Sequence, residues 1–167
     1  TTHHLLEASA SHQISYTFTD ISPFFLETAR ETFAQFPFME YKVLDIENDP
    51  ETQGFLPNYY DLIIAANVVH STQDLQGETL PHIRGLLRPS GHLLLLELTN
   101  QSRWIDLIFG VTQGWWRFSD AYGGKLRNLR PDHPIITAST WQSILIESGF
   151  AQAEFVSPDE EIGSPLF

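Results

Sequence analysis

The stretch IIAANVVHST, residues 63–72, begins as a strand and then breaks its own pattern. Taken with the residues before it, YYDLIIAANVV (59–69) is a continuous apolar run, as expected of a strand buried on both faces of a parallel sheet. The interior of such a strand offers no partner to Asn67 or, three residues on, to His70. At its carboxyl end both have a purpose, because open α/β sheets hold their ligands just outside the carboxyl ends of their strands.

Working outward, the neighbouring segments alternate between strand and helix patterns. Residues 1–9 read as the remainder of a helix, and ISYTFTD (14–20) as a strand ending at Asp20. A helix follows over 21–36, with Ser22 as N-cap, Pro23 at the first helical position, and Phe25, Ala29, Phe33 and Phe36 as its core stripe. Pro37 ends it. MEYKVLDI (39–46) is a strand ending at Asp45, and NDPETQGFLPN (48–58) is a turn-rich linker. After the run at 59–69 comes a helix near 74–87, interrupted at Pro81. RPSG (88–91) reads as a turn, HLLLLELT (92–99) as a buried strand, and 102–118 as an aromatic helix. Residues 119–134 make a polar loop, and ASTWQSILIESGF (138–150) a helix with Gly149 as its stop signal. AQAEFVS (151–157) is a last short strand. This alternation predicts one α/β domain with a mostly parallel sheet.

Composition narrows the function. The chain has 167 residues, a net charge of −12 and no cysteine. The charge disfavours nucleic acid and anionic membranes as partners, and the lack of cysteine removes disulfides and thiolate chemistry. No apolar stretch approaches the roughly 20 residues of a membrane span. The chain starts TTHHLLEAS, without Met, and stops at SPLF inside a fresh apolar run, so it reads as an internal piece of a longer polypeptide. His3 and His4 are adjacent and diverge on a helix, so no metal site is expected.

Asp20, Asp45, Asn67 with His70, and Glu97 all stand at or just past predicted strand ends, where they can line one crevice. A carboxylate closing a strand, such as Asp20, can accept two hydrogen bonds from a ribose diol. Asp45 can accept from an adenine amino group while Ile46 covers the ring. Each Asp can equally well cap a turn or helix. Glu97 interrupts a leucine run, and a carboxylate there is costly to bury without a partner. His70 on a neighbouring strand end can be that partner. A carboxylate on one ring nitrogen fixes the tautomer and makes the other nitrogen a better base. The bland alternative is a buried ion pair without chemistry.

YTFTDISPFFLETARETF, VLDIENDPETQGF, YDLIIAANVVHSTQDL, LRPSGHLLLLELT and DLIFGVTQGWW together resemble, in order and spacing, the C-methyltransferase domains of modular and iterative polyketide synthases. The resemblance implies the Rossmann-like class I fold of S-adenosylmethionine-dependent methyltransferases, in a cytoplasmic multidomain synthase. It implies that Asp20 binds the cofactor ribose with Ile21 beside the adenine, that Asp45 and Ile46 contact the adenine, and that Asn67 lies beside the cofactor. His70 and Glu97 correspond to the family's catalytic pair. The substrate would be a β-ketoacyl chain on the phosphopantetheine arm of an acyl carrier protein, with Trp115 and Trp116 walling the acyl site or else packing as core. The family's first strand and its G-x-G-x-G-G loop, expected immediately before TTHHLL, are not in this sequence, nor is the hairpin strand expected after SPLF. The 167 residues alone are therefore expected to bind S-adenosylmethionine poorly and to be inactive, and the sheet to have a gap for other residues to fill. Pro81 and Ser90 are departures away from the proposed chemistry. The alternatives are a silent methyltransferase-like scaffold, an O-methyltransferase and, more remotely, an NAD(P)-dependent oxidoreductase.

Overall fold

A computed structural model describes residues 1–9, 12–118 and 129–156. Helix α1 (Thr2–Ser9) leads to strand β1 (Tyr16–Asp20), helix α2 (Pro23–Thr32) and strand β2 (Met39–Val43). The strands pair in parallel, from Tyr16 opposite Met39 to Asp20 opposite Val43. Parallel neighbours need a crossover, and α2 provides it. Ser22 is the N-cap and Pro23 opens the helix, as the sequence predicts. The Ser22 hydroxyl makes no capping bond; its backbone N–H instead donates to Asp20 Oδ1 at 2.8 Å. The helix buries Leu26 and Ala29 and ends at Thr32, while Phe25 is 56% exposed and is not a core residue. Of the predicted stripe Ala29 is buried and Phe33 and Phe36 are half-buried, and Leu26 takes the place expected of Phe25.

Strand β3 (Tyr60–Ala66) pairs in parallel with β4 (Leu87–Leu96). Their crossover is a π-helical turn at Leu75–Thr79 that runs into helix α3 (Leu80–Leu86). The cause is Pro81, which has no N–H and whose ring crowds the carbonyl four residues back. The wider turn relieves this, and Thr79 N–H reaches back to the Asp74 carbonyl at 3.0 Å. Strand β4 starts earlier than the sequence suggested. RPSG is not a free turn but a bulge within the strand, since Tyr60 faces Leu87 and Leu62 already faces His92.

After β4 come helix α4 (Arg103–Phe109), a 3₁₀ turn at Gln113–Trp116, and helix α5 (Ala138–Glu147). The predicted helix over 102–118 is thus broken at Gly110–Thr112. Gly149 ends α5 at φ +93, with Phe150 N–H bonded to the Leu145 carbonyl and Gly149 N–H to that of Ile146. This is the left-handed glycine stop anticipated from the sequence. Residues 151–156 are not a strand, and residue 157 and the terminal SPLF lie outside the described residues, as do 119–128 of the polar loop.

The core lies on one face of the β3–β4 pair. Ala65, Leu75, Leu80, Ile83, Trp141 and Ile144 form it, with Ile63, Leu93 and Leu95 packed against it from the strands. The opposite face is open, leaving Leu62 49% and Leu94 45% exposed. Burial on both faces, expected from the apolar runs, is therefore not seen; α3 and α5 cover one face only. Among the described residues no ladder joins β1–β2 to β3–β4, so the parallel α/β sheet is split into two pairs. No described helix is long and apolar enough to cross a membrane.

The bulge depends on Gly91, where an added Cβ would lie 2.9 Å from the Tyr60 carbonyl oxygen and 3.1 Å from that of Arg88. Gly91→Ala is expected to cost about 1–3 kcal/mol. Gly85→Ala, in open space on α3, should be neutral or stabilising by about 0.5–1 kcal/mol. Thermal unfolding of the two variants measures the contrast.

Candidate active site

The β3–β4 ladder brings the ends of two strands side by side. Asn67, the first residue after β3, donates its N–H to the Leu96 carbonyl at 2.8 Å and takes a left-handed φ of +53, which Asn tolerates better than most residues. The chain then turns through a 3₁₀ segment, Val69–Ser71. Next to it, Glu97 follows directly on β4. Its Oε1 accepts the backbone N–H of Val69 at 2.9 Å and of His70 at 3.3 Å. Its Oε2 lies 2.6 Å from His70 Nδ1. The two side chains are 3% and 11% exposed. The carboxylate thus has the partners its burial requires, and an ionised Glu97, which can only accept, favours the tautomer of His70 with its proton on Nδ1. Nε2 has no hydrogen-bond partner among the described residues, and in that tautomer it carries the free lone pair.

The turn that carries His70 is held from behind by Arg130. Its guanidinium, fully buried, donates to the carbonyls of His70 and Thr72 at 2.8 Å and of Gln73 at 2.9 Å. Thr72 hydroxyl donates to the Val69 carbonyl and receives a bond from Thr79. Glu47 ties in a further segment: Oε1 accepts Gln73 N–H at 2.6 Å and Oε2 is 3.3 Å from Arg117 Nη2.

Trp115 is buried, in a T-shaped contact with His70 at 5.5 Å between centroids. Trp116 is 46% exposed and donates its indole N–H to the Gly110 carbonyl at 2.8 Å. Only the first of the two therefore lies against His70 in the manner of a wall.

On the other strand pair, Asp20 is the last residue of β1. Its Oδ1 takes the Ser22 N–H, and Oδ2 has no partner among the described residues. Ile21 beside it is largely exposed. Asp45 stands two residues beyond β2, with Oδ1 on Glu47 N–H at 3.1 Å and Oδ2 on the Asn48 side chain at 2.8 Å. Both its oxygens serve its own turn, the local capping role the sequence also allowed. Ile46 is half-buried against the main core.

Three residues of this neighbourhood were not anticipated: Arg130, His133 and Asp106. The first two sit in what reads as a polar loop, with no local signal. Asp106 does carry one, a single carboxylate in the apolar run WIDLIF, the same oddity that marks Glu97. Separately, α1 brings ligand atoms of His3, His4 and Glu7 within 4.8 Å of one another, all exposed, so the adjacent histidines converge on Glu7 more than their spacing suggested.

A family model described as a methyltransferase domain matches residues 1–93. The chain is 41% identical over 162 residues to the non-reducing polyketide synthase mapC of Penicillium brevicompactum, covering 94% of this chain and 6% of that protein. Among solved structures it is similar to the CurJ carbon methyltransferase, with TM-score 0.84 and 45% identity over 93% of this chain and 40% of that one. It is also similar to the trans-methyltransferase CalH in complex with SAH, with TM-score 0.74 and 40% identity over 83% of this chain and 36% of that one. The chain therefore spans well under half the length of these relatives.

Arg130→Met removes the donors to three carbonyls and is expected to cost on the order of 3 kcal/mol. Arg130→Lys, which keeps the charge but not the planar fork, should fall between. Denaturant midpoints in the order wild type, Lys, Met check this; equal midpoints would show that the clamp contributes nothing.

Proposed function

Because the chain belongs to the methyltransferase domain family, we propose that it carries the catalytic face of a C-methyltransferase acting on polyketide chains. In this reading it is an internal portion of a larger multidomain synthase, consistent with the 6% of mapC that it matches. The methyl donor is S-adenosylmethionine, and the acceptor is the α-carbon of a β-ketoacyl thioester on the phosphopantetheine arm of an acyl carrier protein. The observation that carries the proposal is the buried His70–Glu97 contact at 2.6 Å.

The cofactor side fits in part. Asp20 Oδ2 is an acceptor at a strand end with no partner among the described residues, suited to a ribose hydroxyl, and the exposed Ile21 is an apolar side chain available to cover a ring. Asp45 and Ile46 would serve the adenine only if Asp45 shared its oxygens with its own turn, which a carboxylate with several lone-pair sites can do. Asn67 would lie beside the cofactor at the end of β3. When bound, the cofactor supplies a sulfonium methyl group, open to attack along the line of its S–C bond.

His70 Nε2 takes the proton from the carbon between the two carbonyls. The electron pair left behind is delocalised into them as an enolate, whose α-carbon would form the new C–C bond to the methyl group as the S–C bond breaks, the bonding pair staying on sulfur and leaving a neutral thioether. Glu97 holds the Nδ1 proton throughout and stabilises the imidazolium that forms. The proton on Nε2 then leaves to solvent. Trp115 excludes water on one side of the ring, and Trp116, more exposed, would meet the acyl chain. The chief contribution of such a site is alignment of the two reacting carbons.

The full-length polypeptide, given a carrier-bound β-ketoacyl thioester and S-adenosylmethionine, should add one methyl group that fragmentation mass spectrometry assigns to the α-carbon. A methyl group on oxygen would contradict the reading. His70→Ala should lose about 10²–10⁴ in rate with cofactor affinity unchanged. Glu97→Gln keeps an acceptor for the turn but meets Nδ1 with the wrong proton pattern, and should lose at least ~10-fold.

A further inference from the structure

We propose that Asp106 and His133 are positioning residues that fix the indole of Trp115 against the ring of His70. The inference rests on the reading of His70 as the base.

His133 is buried and fully partnered. Its Nδ1 accepts the backbone N–H of Ile135 at 3.0 Å, so the neutral ring carries its proton on Nε2. That N–H faces Asp106 Oδ1 at 3.0 Å. The same oxygen accepts the indole N–H of Trp115 at 3.3 Å. One carboxylate oxygen thus joins α4, the 3₁₀ turn after it and the segment before α5. Ile105, Trp115 and Ile135 form a small buried cluster around this junction.

The indole is confined on several sides. Phe109 stacks on it at 5.4 Å and 22° between planes, and His133 meets it edge-on at 6.1 Å and 90°. The remaining side presents its ring to His70, at 5.5 Å and 70°. The bond to Cβ and the hydrogen bond from Nδ1 to Glu97 hold one side of the imidazole and leave the tilt of its plane to be set by its neighbours. The indole contact removes that freedom and so sets the direction of Nε2.

A packing role alone does not explain the polar pair. Trp141 is buried elsewhere in this molecule with no partner for its indole N–H among the described residues, so apolar packing can hold an indole here unaided. At Trp115 a buried histidine and a carboxylate are added, at a desolvation cost that an apolar filler would avoid. What they supply is orientation.

The test uses the full-length polypeptide with the carrier-bound substrate. His133→Phe keeps a ring of similar size but loses the donor, and Asp106→Ala removes the acceptor at a partly exposed site. Both should lower kcat about 10-fold with KM for the cofactor unchanged, as expected of a small misalignment of the base. His133→Gln and Asp106→Asn, which restore a donor and an acceptor, should recover most of the rate. If His133→Phe does not fold, the Asp106→Ala and Asp106→Asn pair decides. Full kcat in His133→Phe and Asp106→Ala, or losses that track thermal stability and are not recovered by the conservative variants, would overturn the inference. His70→Ala is run alongside: an inactive His70→Ala with a fully active His133→Phe sinks this inference alone, whereas an active His70→Ala sinks the base reading and the inference with it.

Discussion

Glu97 is nearly dry, and its carboxylate is held by two backbone N–H groups of the turn after β3 and by the ring of His70. Each party needs the other. A carboxylate buried at the end of a leucine run is costly unless its lone pairs are met, and the N–H groups of a 3₁₀ turn have no partner in the turn itself. The parallel ladder brings the two strand ends together, and the hydrogen bonds then hold the imidazole of His70 against the Glu97 carboxylate. Arg130 completes the arrangement from the other side by taking the carbonyls of the same turn. The turn is therefore pinned by an anion at its N–H groups and by a cation at its C=O groups, the pairing its peptide dipoles favour.

The two strand pairs divide the proposed labour. In the proposed reading the β3–β4 pair carries the base and its support, and Asp20 at the end of β1 and Asp45 beyond β2 would serve the cofactor. The pairs share no ladder among the described residues, and one face of β3–β4 remains apolar and open. Unpaired edges and exposed leucines are features that proteins ordinarily cover. This chain covers 6% and 40% of the length of two of its relatives, which are correspondingly longer.

Much of this was legible in the sequence because the cost of misplacing a charge is large. Glu97 within LLLLELT called for a partner, and His70 at the end of an apolar run was the available one. Asp20-Ile-Ser-Pro announced a strand end and a helix start through local backbone rules that hold regardless of the rest of the fold. Other features were hidden because they depend on contacts far along the chain. Helical spacing alone could not choose between Phe25 and Leu26 for the core, since that depends on what faces α2. RPSG has the composition of a turn, and only the register against Tyr60 and Leu62 makes it a bulge. Pro81 signalled an interruption but not its π form. His133 meets Asp106 across 27 positions and Arg130 meets His70 across 60, separations over which no local pattern operates.

The central claim is that Glu97 holds the proton of His70 on Nδ1 and leaves Nε2 as the base. Nitrogen-15 chemical shifts of the histidine rings in labelled protein, with the His70 signal assigned by its loss in His70→Ala, report this directly. With the ring neutral, the account predicts a protonated Nδ1 and an unprotonated Nε2 at His70. The opposite tautomer, with the proton on Nε2 and a bare nitrogen facing the carboxylate, would contradict it.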